Sequence, residues 1–168
     1  MSKTLFALFG MFCLIFSCKT ETKVNTEKPV SYLDVPFELN ASEPNIHKSA
    51  SGDLFLSWIE QENDTISHLK VSKLEDGQWA SPHTIAKGTD WFVNWADFPS
   101  LVAFEHSDKN LAAHWLQKSA VGTYDYDVKV AISNDGGTKW NQPFVPHTDG
   151  IAAEHGFVSM LPAGKQIF

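Results

Sequence analysis

The chain has 168 residues, 43% hydrophobic and 20% charged, which is the composition of a folded globular protein and excludes disorder as the default state. Acidic side chains number 20 against 13 basic ones, a formal charge of -7 with no basic cluster to meet a phosphate backbone, so nucleic-acid binding is excluded as well. Every basic residue is a lysine, and the sequence contains no arginine.

At the amino terminus Lys3 precedes an apolar run over residues 5–16, about a dozen residues, too short for a spanning helix and suited to the core of a secretion signal. Residues 1–17 are therefore expected to be removed. Ile15-Phe16-Ser17-Cys18 resembles the bacterial lipobox, in which the cysteine is lipidated and becomes the first residue. That resemblance implies a lipid anchor at Cys18 and a place in the bacterial cell envelope, at the outer membrane or cell surface. The alternative is a plain signal peptide with an incidental cysteine. Cys13 leaves with the leader, so no internal disulfide is expected. Residues 18–36 are mostly polar and without periodicity, which fits a flexible tether.

From residue 37 onward, short alternating runs are separated by Gly, Asp, Asn and Pro, and no long helical stripe occurs. Tyr126, Val128, Val130 and Ile132 alternate with Asp127, Lys129 and Ala131, the period of a strand with one buried face. Residues 54–60, 68–74 and 111–117 read the same way, so the chain is expected to be all-β.

These runs repeat. Pro44, Trp58 and Trp79 are matched by Pro99, Trp115 and Trp140 at offsets of 55 to 61 residues. A third unit opens at His155-Gly156-Phe157-Val158 and runs to Phe168. Units of about 50 residues with four short strands are the pattern of propeller blades. The expected boundaries are 37–86 for the first blade, 98–147 for the second and 155–168 for the start of a third. That makes about two and a third of the roughly four to eight blades a propeller needs, so the chain is expected to be part of a longer protein. The other reading is a small two-sheet domain that ends here.

Ser133-Asn134-Asp135-Gly136-Gly137-Thr138-Lys139-Trp140 resembles the Asp-box of sialidase-like β-propellers, and Asp76-Gly77-Gln78-Trp79 is a degenerate copy at the matching place in the first unit. The resemblance covers the region from about residue 40 to the end. It implies a propeller of about six blades, monomeric when whole, that handles glycans. Within the box, Ser133, Asp135, Gly137 and Trp140 are expected to build a turn and not a reaction centre, on the face opposite any active site.

The opposite face would be made by loops 61–67, 87–98, 118–125 and 147–156. Asp90-Trp91-Phe92-Val93-Asn94-Trp95-Ala96-Asp97 combines aromatic faces that stack on sugar rings with groups that hydrogen-bond hydroxyls, so Trp91, Asn94, Trp95, His147 and His155 are the candidate glycan-binding residues. Trp91 and Trp95 have the alternative of plugging the gap between blades, Asp97 that of capping a turn, and Glu154 and His155 that of an inter-blade hydrogen bond. The family mechanism uses a tyrosine nucleophile assisted by a glutamate, with an aspartate as acid/base. Here it implies Tyr124 or Tyr126, Glu154, and Asp90 or Asp97. The family's arginine clamp on the substrate carboxylate has no counterpart, and Lys48, near its expected place, is a point charge and not a planar fork. His147, Glu154 and His155 lack a metal-ligand spacing, so no metal and no cofactor is expected. His114 reads as a satisfied core histidine. Three functions remain open: an exo-glycosidase of the sialidase type, a propeller of the envelope that binds glycan or protein without catalysis, or a structural envelope protein whose propeller only carries partners.

Overall fold

The computed structural model describes residues 30–38 and 40–167; the expected leader and Cys18 lie outside the described residues. One compact unit runs from Tyr32 onward. It is all-β, with antiparallel sheets and no helix among the described residues.

The first sheet contains β1 (Ala41–Lys48), β2 (Leu54–Gln61), β3 (Ser67–Glu75) and β5 (His83–Gly88), each paired antiparallel with the one before it in this series. A two-residue strand, β4 (Gln78–Trp79), turns back on the end of β3 through Asp76 and Gly77, whose φ values of 48° and 79° make the tight reversal a hairpin needs. The second sheet is β6 (Ser100–Phe104), β7 (Ser107–Lys118) and β8 (Tyr126–Ser133), again in chain order. A hairpin of β9 (Pro162–Ala163) and β10 (Gln166–Ile167) follows.

Four strands were expected in the second unit as in the first. In their place stand three strands and a single bridge, Val130 with Phe144, whose backbones exchange bonds of 2.9 and 3.0 Å. Pro143 and Pro146 flank Phe144, and a proline offers no N–H to a ladder, so pairing stops after one residue.

Alternation decides the core. Phe55, Ile59, Leu69, Val71 and Ile85 of the first sheet share one buried cluster with Leu101, Ala103, Leu111, Ala113, Trp115 and Ala131 of the second. These are one pleat face of each sheet, and the alanines let the sheets approach. His47 points into the same interface, where its Nε2 accepts a 3.0 Å bond from the Ala103 N–H. Burial lowers the His47 pKa, which agrees with a neutral ring acting as acceptor. On its other face the first sheet buries Trp58 completely, with Phe37 tilted against it at 5.6 Å and Glu60 accepting its indole N–H at 3.3 Å. The other face of the second sheet carries Leu116, Tyr126 and Val128, packed by Phe92, Val130 and Val158.

Leu69 is fully buried between the sheets, whereas Ile46 on β1 is 63% exposed. Leu69→Ala should cost about 2–5 kcal/mol of unfolding free energy in urea, and Ile46→Ala no more than about 0.5 kcal/mol. Equal losses would show that the sheets do not pack face to face.

Candidate functional site

In an antiparallel meander, every second strand starts at the same end. β6 and β8 therefore both begin where β7 ends, and this brings the residues before β6 beside the first residue of β8. Tyr126 opens β8, and Asp97 lies just before β6. The segment after the second sheet adds the third member. Tyr126 and Glu154 form an isolated parallel bridge, in which the Tyr126 N–H donates to the Ala153 carbonyl at 3.1 Å and the His155 N–H donates to the Tyr126 carbonyl at 3.1 Å. The Tyr126 hydroxyl lies 2.9 Å from Glu154 Oε1 and 3.4 Å from Asp97 Oδ2. Of the residues expected to do chemistry, the structure thus gathers Asp97, Tyr126 and Glu154.

The phenol has one proton and two carboxylates facing it. Burial raises the Tyr126 pKa far above its ordinary value, and the Glu154 hydrogen bond and the Asp97 charge add to the shift. The phenol is thereby held protonated. Tyr126 is 1% exposed and Asp97 6%. Phe92 stacks on the tyrosine ring at 4.2 Å and 16°. Gly156 closes the other approach: a Cβ there would overlap Asp97 Oδ2 and stand 2.8 and 2.9 Å from Tyr126 Cε2 and Oη.

Asp90 and Tyr124 lie outside this group. The Asp90 carbonyl accepts the Lys118 N–H at 2.7 Å, and its carboxylate accepts the Thr89 hydroxyl at 3.0 Å. Tyr124 is 58% exposed, with its ring 6.2 Å from Phe92. The loop carrying the tryptophans is extended against the end of β7, where Trp91 bridges Gln117 and the Phe92 N–H donates to Leu116 at 3.0 Å. Alternation along it sends Trp91 and Val93 to the inter-sheet core and Phe92 to Tyr126. Trp91 stacks on Trp115 at 5.5 Å, while Trp95 is 82% exposed. Asn94 turns the chain: its side-chain oxygen accepts the Ala96 N–H at 2.8 Å.

His147 and His155 meet on the far side of the Tyr126–Glu154 bridge. Their rings stack at 3.9 Å between two aspartates, Asp127 and Asp149. The hydrogen bond with His155 holds the Asp149 carboxyl at about 2, and the same bond raises the His155 pKa. Asp127 was not among the expected site residues, because it stands inside a strand pattern where an outward carboxylate needs no function. Phe92 and Gly156 were missed for a similar reason, since neither type signals chemistry.

The segment that begins at Ser133 and resembles an Asp-box lies at the other end of β8, seven residues and about 23 Å along the strand from Tyr126. Asp135 Oδ1 accepts the Ser133 hydroxyl and the Lys139 N–H, both at 2.9 Å, and Trp140 Nε1 donates to the Gly137 carbonyl at 3.0 Å. The Lys139 N–H bond also lowers the Asp135 pKa. These bonds close a turn whose indole packs on the inter-sheet core.

Comparison of the chain with protein-family models, curated proteins and solved structures returned no match.

Two outcomes follow from this packing. His114 is fully buried against Ser100 Oγ at 3.1 Å, and burial depresses its pKa from 6.5 to about 4. A depressed base stabilises the fold above the unfolded value and loses that contribution as pH falls, so unfolding free energy should drop by roughly 3 kcal/mol between pH 6.5 and pH 4. His114→Gln should flatten that limb, and an unchanged slope would contradict it. Gly156→Ala should destabilise by about 1–3 kcal/mol through overpacking; a silent substitution would show that segment 153–156 does not press on Tyr126.

Proposed function

We infer that the two sheets and the following hairpin are successive blades of a sialidase-like propeller, tethered to the bacterial envelope through Cys18, which binds glycans at the loop face around Asp97 and Trp95. What supports the blade reading is the meander order within each sheet, the Asp-box turn at one end of β8, and the loops gathered at the other end. The observation that carries binding in preference to hydrolysis is the burial of Tyr126. A phenol 1% exposed and capped by Phe92 and Gly156 offers no line of attack to a sugar, while Trp95, 82% exposed, offers a stacking face. None of these 168 residues is an arginine, so this part of the propeller supplies no planar grip for a sugar carboxylate.

A second reading is favoured by one distance. Glu154 Oε1 at 2.9 Å from the Tyr126 hydroxyl is within reach for general-base activation of a tyrosine nucleophile, with Asp97 placed to protonate a leaving oxygen. That reading needs the loops bearing Phe92 and Gly156 to open.

The full chain should be tested on a glycan array and a panel of fluorogenic exo-glycosides. Retention that falls roughly fivefold or more in Trp95→Ala, corresponding to about 1 kcal/mol of stacking, with no turnover on any glycoside, is the expected result. Turnover abolished by Tyr126→Phe would replace it with the hydrolytic reading, and neither retention nor turnover would reject both. For the anchor, Cys18→Ser should move the protein from the membrane fraction to the soluble one; a variant still in membranes would refute lipidation there.

A further inference from the structure

The parallel bridge that joins Tyr126 to Glu154 sends their neighbours, Asp127 and His155, to the opposite side of the backbone, away from the phenol. His147 joins them there. The resulting arrangement has a direction. Asp149 faces the outer nitrogens of both rings, with Oδ2 3.0 Å from His155 Nε2 and Oδ1 3.4 Å from His147 Nδ1. Asp127 Oδ1 faces the inner nitrogens, 3.4 Å from His155 Nδ1 and 3.6 Å from His147 Nε2.

A neutral imidazole has one N–H and one lone pair. With Asp149 receiving the N–H of each ring, the lone pairs on His155 Nδ1 and His147 Nε2 are directed inward, beside the Asp127 carboxylate. Both inner nitrogens are shielded from solvent and make no hydrogen bond among the described residues. The three Lewis-basic atoms lie within 4.8 Å of one another. While both rings are neutral, the three atoms turn lone pairs toward one another, a repulsion that a bound cation removes.

We propose that Asp127, His147 and His155 bind a divalent transition ion of the Zn2+ class, with Asp149 as the outer carboxylate that sets the tautomer of both rings. The separations fit. Metal–ligand bonds of about 2.0–2.2 Å in a tetrahedron put donor atoms about 3.3–3.5 Å apart, close to the two separations from Asp127. Two imidazoles and one carboxylate favour zinc-like ions over calcium or magnesium, which prefer all-oxygen shells. Metal-bound histidines commonly give their second nitrogen to a carboxylate, which is the position of Asp149. The rings now lie 18° from parallel, so binding requires them to turn about χ2 until both lone pairs meet at one point. Three protein ligands leave a fourth position for water or another donor, and a cleft of about 410 Å3 borders the cluster at Asp127, His147 and Asp149. The site lies on the other side of the bridge from Tyr126 and does not depend on the glycan reading.

The test uses the untagged full chain with its two cysteines alkylated, stripped with a chelator and titrated with ZnCl2 by calorimetry. Cobalt substitution and X-ray absorption follow on the wild type. One equivalent should bind, with the visible bands of tetrahedral Co2+ and an absorption shell of nitrogen and oxygen without sulfur. His147→Gln and His155→Gln should each weaken binding at least 100-fold, and Asp149→Asn about 10–100-fold. His68→Gln, remote from the cluster and paired with Glu62, should leave binding unchanged. Circular dichroism identifies any variant that has not folded, and Asp127→Asn then takes its place. Absence of saturable Zn2+ binding by the wild type, or binding that survives loss of either histidine, would overturn the proposal.

Discussion

The parallel bridge between Tyr126 and Glu154 is the contact on which both side-chain clusters depend. It consists of two backbone hydrogen bonds, both 3.1 Å long, made by Tyr126 to residues on either side of Glu154. Paired residues in neighbouring strands show their side chains on the same side, and their successors turn to the other. Two bonds thus sort four residues into two chemistries: a phenol between carboxylates on one side, a pair of imidazoles between carboxylates on the other. Gly156 sets how close the segment comes, since any side chain there would collide with Asp97 and Tyr126.

The bridge in turn needs a rigid floor. β8 provides it through eight registered pairs with β7, from Leu111 with Ser133 to Lys118 with Tyr126. The floor is held from beneath by the inter-sheet core, where Ala113 and Ala131 bring the second sheet near Phe55, Leu69 and Val71. His47 ties β1 to β6 by accepting a backbone N–H, a bond available only to a neutral ring, and burial keeps it neutral. Sequence alternation, sheet packing and site geometry therefore form one chain of dependence. Each strand's buried face fixes which residues of the loops beyond it can meet.

Much of the fold was legible because the apolar runs locate the strands, but the expected single buried face does not hold for the central ones: Phe55–Ile59 of β2 and Leu111–Leu116 of β7 are buried on both sides. β2, β3, β7 and β8 all cover the expected runs. β5 gave no such signal, since Ile85 is its one buried residue. The second unit's fourth strand shrank to the Phe144 bridge because flanking prolines deny it donors. At the site, Asp97, Tyr126 and Glu154 carried side chains whose chemistry invited attention, but their meeting depends on strand direction, which no local pattern encodes. Asp127 was hidden in the alternation of β8, where an aspartate on the polar side of a strand is ordinary. The two histidines were visible, yet their spacing fits no ligand motif, because a bridge to a third element and not a helix or turn sets their separation.

Site-resolved hydrogen exchange at the Tyr126 and His155 amides tests the bridge most directly. Both N–H groups donate across it, to Ala153 and Tyr126 respectively. They should exchange as slowly as amides in the β7–β8 ladder and far more slowly than the exposed loop at Gly150 and Ile151. Exchange of either amide at the rate of that loop would show that segment 153–155 is not docked on β8, and the common origin of the two clusters would be lost.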